Sequence, residues 1–172
     1  MALDKALLAL TRAAALPDAT SATLALLGHV KLGGGDLPGA AAALRAAVGL
    51  VPVEPVAYRD LAAVLERQRD WTGAREALAR FAALKAGTAD AVGATTHLGD
   101  LSMRLGDPHG AAYWFDRALA ELGPSPALLL KRAEAERSRG DLDRARAAVA
   151  QGLALDPAHA GLRALAQTLA RP

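Results

Sequence analysis

Four histidines, His29, His97, His109 and His159, are the first residues to weigh for chemistry, because an imidazole can ligate a metal or move a proton near neutral pH. None has another histidine four residues away, so the helical zinc spacing is missing, and they read as solvated or groove-lining side chains. Gly33-Gly34-Gly35 offers glycines for a phosphate loop but lacks the following Gly-Lys-Ser/Thr, and it joins helix to helix; it reads as an inter-helix turn. Asp141 and Asp143 stand together as carboxylates, yet both fall where a helix would begin, and there they favour the helix dipole. No G-x-S-x-G or triad-like pattern occurs. With no cysteine, thiolate zinc sites, iron–sulfur clusters, disulfides and cysteine nucleophiles are excluded. The expectation is a chain that is not an enzyme and has no catalytic residue, metal site or cofactor.

The elements that carry these residues follow from composition. The 172 residues include 44 Ala and 30 Leu, while aromatics make up only 3%. That vocabulary suits closely packed helices and not sheets, which favour β-branched and aromatic residues. The formal net charge of +2 gives no strong pull on nucleic acid or an anionic membrane. No basic stripe is interleaved with aromatics, and no apolar run approaches the roughly 20 residues that span a bilayer. The start, Met1-Ala2-Leu3-Asp4-Lys5, lacks the basic region and apolar stretch of a signal peptide. A soluble, cytoplasmic, all-helical protein is expected, with no nucleic-acid partner and no membrane insertion.

The chain repeats itself. Gly35-Asp36, Arg69-Asp70, Gly106-Asp107 and Gly140-Asp141 recur at spacings of 34, 37 and 34 residues. After each pair come a small residue (Ala40, Ala74, Ala111, Ala145) and a larger one (Leu44, Leu78, Phe115, Val149). Before each pair, at one fixed interval, stand Gly28, Ala62, Gly99 and Ala133. Spacings of three and four place such residues on one helical face. The Gly-Asp supplies a helix-ending glycine and a helix-starting carboxylate. Each unit therefore reads as helix–turn–helix, with the small residues allowing close approach.

On these residues the chain resembles the tetratricopeptide (TPR) repeat, whose unit is 34 residues. The resemblance implies an all-α, right-handed α-solenoid running through 1–172 as a single array. Its repeats are 21–54, 55–91, 92–125 and 126–159, with a lone second helix over 3–16 and a capping helix over 160–171. The half unit at the start suggests a cap or a cut through a longer array. The later aromatic of the family's first helix is replaced by Lys31, Leu65, Ser102 and Glu136. Trp71, Phe81 and Phe115 fall on core positions, and one of Tyr113 and Trp114 is expected to be partly exposed.

Similarity to TPR proteins also implies that the first helices line a concave face that binds a peptide or helical segment of a partner protein. By register, its side chains are His29 in the first repeat and Arg59, Glu66 and Arg67 in the second. The third contributes Thr96, Asp100, Met103 and Arg104, and the fourth Leu130, Glu134 and Arg137. Apolar members would anchor the partner and Arg would take carboxylates. The Lys/Asn carboxylate clamp of chaperone-binding relatives is absent, because Ala25 and His29 occupy its places. Two alternatives remain open: a substrate-recruiting domain of a larger protein-modifying enzyme such as a glycosyltransferase, and self-association through the terminal helices or an exposed Trp114.

Overall fold

A computed structural model describes residues 2–170. Ten helices and no strand occur among the described residues: α1 (Ala2–Ala14), α2 (Ser21–Gly33), α3 (Leu37–Val48), α4 (Val56–Arg67), α5 (Trp71–Leu84), α6 (Ala89–Arg104), α7 (Pro108–Leu122), α8 (Pro126–Ser138), α9 (Leu142–Leu155) and α10 (Ala160–Leu169). Residue 171 of the expected terminal helix lies outside the described residues. The chain divides into two compact units, Met1–Ala86 and Gly87–Pro172.

The four Gly-Asp-type turns are built alike. Asp36, Asp70, Asp107 and Asp141 each accept from the backbone N–H three residues on, at 2.9, 2.9, 2.8 and 3.1 Å. This satisfies an orphan donor at the start of α3, α5, α7 and α9. The residue before each aspartate has positive φ: 82°, 70° and 87° at Gly35, Gly106 and Gly140, and 63° at Arg69. The repeat thus fixes the backbone state even where glycine is replaced.

In unit 1, α1 packs on α2, α2 pairs with α3, and α4 pairs with α5; α3 packs on α4, and α2 also packs directly on α4. Ala40, Leu44, Ala47, Ala57 and Val64 have no solvent exposure. Gly28 is small for a reason: a Cβ there would collide with the Leu44 side chain. Ser21 ties the α3–α4 connection to the start of α2, donating to the Ala47 carbonyl and accepting from the Glu54 N–H, both at 2.8 Å. In α1 the equivalent small residue, Ala6, is exposed, whereas Ala40, Ala74, Ala111 and Ala145 are fully buried. Among the described residues, no helix pairs with α1 as α2 pairs with α3.

In unit 2, α6 pairs with α7 and α8 with α9; α7 packs on α8, and α10 packs on α9 and α8. Leu162, Leu165 and Leu169 turn inward onto Ala133, Ala145, Ala148 and Val149. A Cβ on Gly99 would strike Phe115. Glu136 is fully buried. It lies 3.3 Å from Arg139 and 3.6 Å from Arg132, whose Nε donates to Asp116. Phe81 and Phe115 are core residues as expected, while Trp71, in the first turn of α5, is only partly buried.

Candidate functional site

The first helix of each hairpin is called here an A helix and the second a B helix. A helices bury one side against their B partner and leave another side open. In unit 1 the open side of α2 and α4 carries His29, Arg59, Glu66 and Arg67. At its centre is Asp60, only 6% exposed. One carboxylate oxygen accepts from Arg59 Nε and Nη2, each at 3.2 Å, and the other is 2.8 Å from His29 Nδ1. A carboxylate only accepts, so the proton of this bond sits on Nδ1. The Arg59 guanidinium also lies 5.9 Å from the centre of the buried Phe81 ring. Arg67 Nη1 reaches the Leu32 carbonyl at 3.4 Å, which crosses from α4 back to α2.

In unit 2 the open side of α6 and α8 carries Thr96, Asp100, Met103, Arg104, Leu130, Glu134 and Arg137. Asp100 receives Lys131 Nζ on both oxygens, at 2.5 and 2.6 Å. Lys131 lies 6.0 Å from the Phe115 ring centre. Met103 packs partly buried against the cluster containing Phe115 and Leu128, and Leu130 against the one containing Leu162. These two apolar side chains are therefore largely committed to internal packing. Arg104, Glu134 and Arg137 are exposed.

The structure thus draws His29 and Arg59 together and leaves Glu134 and Arg137 on open surface. Sequence reasoning missed Asp60 and Lys131. Both follow a charged or polar A-helix residue by 31 positions, His29 to Asp60 and Asp100 to Lys131, and that recurrence was the available signal.

On the outer side of α7, Tyr113 is 57% exposed and meets Trp114 edge-on at 5.0 Å. Arg117 lies over Trp114 and donates to Glu121 at 3.2 Å. The Glu121 hydrogen bond, helped by Tyr113, holds the Arg117 proton more tightly than usual against a smaller opposing effect of burial. Among the described residues, no group of three or more His, Asp or Glu side chains could hold a metal ion. No helix there is long and apolar enough to cross a membrane.

Hairpins of this kind, capped alike and stacked through small residues, define a helical-repeat protein. A sequence profile of the tetratricopeptide repeat matches residues 25–87 and 74–126, more than half of the chain. The chain belongs to the TPR family, and its fold is of the all-α TPR solenoid class. Similar solved structures include YrrB, titled a TPR protein with an unusual peptide-binding site (20% identity, TM-score 0.74, 94% of this chain and 81% of that one). MamA is similar too (20%, 0.72, 90% and 89%), as is a TPR protein from Parabacteroides merdae ATCC 43184 (20%, 0.70, 97% and 65%). The chain spans a third of the length of the matched chain in the APC/C Cut9–Hcn1 hetero-tetramer (19%, TM-score 0.63). No curated protein matches it in sequence.

Proposed function

We propose that the chain is a non-catalytic, cytoplasmic binding module. The open A-helix face of each unit takes up an extended or helical segment of a partner protein. One observation carries this reading. In each unit the helices that bury small residues on one side keep charged ones exposed, His29, Arg59 and Arg67 in unit 1 and Arg104, Glu134 and Arg137 in unit 2. Rigid helices presenting polar side chains lower the ordering cost of binding. Glu66 in unit 1, and Thr96 and Asp100 in unit 2, add half-buried polar side chains, while Met103 and Leu130 in unit 2 leave only part of their apolar surface open.

The test replaces Arg59, Arg104 and Arg137 together with Glu. Binding to a peptide selected on the wild-type chain from a random displayed library is then measured beside helicity by circular dichroism. Loss of about tenfold or more in affinity with helicity intact is expected, as three charged contacts reverse sign. Unchanged affinity with intact helicity moves the site away from these faces.

A further inference from the structure

The Asp60 carboxylate is nearly removed from water, and both of its oxygens are already used. A buried carboxylate on an exposed face needs such partners, because ionised groups are costly to desolvate. Its effect on Arg59 is geometric. The guanidinium has five N–H groups. Nε and one Nη2 hydrogen face Asp60 Oδ1, and one side of the group rests near Phe81. The two Nη1 hydrogens and the second Nη2 hydrogen remain, on a side chain that is 47% exposed. These are the parallel donors that match a carboxylate end-on.

Unit 2 offers the contrast. Lys131 is a compact ammonium straddled by both Asp100 oxygens, so its charge is met where it sits. The equivalent position in unit 1 places the anion behind the cation, leaving the cation's far edge toward solvent.

We infer that Arg59, aimed by Asp60 and backed by Phe81, takes a Glu or Asp side chain of the partner segment, which makes acidic peptides the ligand class of the unit 1 face. This rests on the binding reading above and narrows it. Asp60 is a positioning residue: it fixes which edge of Arg59 is offered and does not touch the ligand. His29 shares that role through the other oxygen.

The experiment uses two pools of acetylated twelve-residue peptides, random except for four fixed central residues, Glu in one pool and Gln in the other. Binding to the full chain is followed by fluorescence anisotropy at low and at physiological salt. The Glu pool is expected to bind about tenfold more tightly, as a charge-assisted bidentate contact requires. Arg59→Gln should bring the two pools level. Asp60→Asn keeps the Arg59 charge but loosens its aim, so the Glu-to-Gln ratio should fall part of the way, a readout that a purely structural role leaves alone. Arg144→Gln, on the exposed side of α9, should leave the ratio unchanged. Equal binding of both pools, or a preference that survives Arg59→Gln, overturns the inference and leaves the broader binding reading standing. No binding of either pool overturns both.

Discussion

The two units solve the same packing problem with different side chains. In unit 1 α2 and α4 pack closely on one another, whereas α6 and α8 in unit 2 do not approach to the same degree. On these helices unit 1 buries Ala25 and Ala57; at the same register unit 2 has Thr96 and the buried Leu128. Smaller side chains let backbones close, and bulk holds them apart. The spacing then sets what a charge pair there can be. Asp60 has a side chain 9% exposed, while Asp100 and Lys131 remain 38% and 37% exposed. The lesson is that one repeat pattern can host a nearly dry anchor in one unit and a solvated, weaker pair in the other.

A second contrast lies just before the turns. Unit 1 buries Leu65 where unit 2 buries Glu136. Glu136 has Arg132 and Arg139 beside it, but the matching neighbours of Leu65 are Leu61 and Gln68. Leu65→Glu is therefore expected to give the largest effect, a loss of about 3–5 kcal/mol in chemical denaturation, because neither matching position offers the new carboxylate a cation. Glu136→Leu should change stability by less than about 1.5 kcal/mol, since both arginines can turn to water. Equal losses from the two substitutions would break the contrast.

Next in size, Ala57→Leu should cost about 1–3 kcal/mol by overpacking the close α2–α4 contact. It should also loosen the His29–Asp60 bond, visible in the imidazole nitrogen resonances. An unperturbed histidine would detach spacing from charge burial.

Asp60→Asn should then cost about 1–2 kcal/mol, moderated because Arg59 and His29 both reach water, while Asp100→Asn should cost under about 1 kcal/mol. Equal thermal shifts would contradict the difference in burial.

The smallest effect is in acid. The Gly39 N–H first, and then Lys31, hold the exposed Asp36 carboxyl below its ordinary value of 3.8. The folded value is depressed, so this contribution is complete above the unfolded carboxyl range and disappears as pH falls through the folded value. Asp36→Asn should flatten only that acid limb of the stability curve, below about pH 4.

The hairpins were legible in the sequence because Gly28, Ala40 and Asp36 and their equivalents act locally: small residues for close approach, an aspartate for the next helix. The A-helix faces proposed for binding are drawn from the same register. Asp60 and Lys131 were not legible as partners, because the bonds they make depend on how closely two A helices sit. Side-chain bulk at buried positions such as Ala57 and Leu128 is expected to tune that distance, and both read alike as apolar. Glu136 stood out as a departure from the family pattern, but its compensation by Arg132 and Arg139 needed the packed helix to be seen.

The central claim is that the A-helix faces, and not the B helices, meet the partner. Hydrogen exchange measured by mass spectrometry on the chain alone and with a library-selected peptide tests it most directly. The account expects added protection in the peptic fragments covering α2, α4, α6 and α8, strongest in Val56–Arg67. Protection confined to α3, α5, α7 or α9 would contradict it.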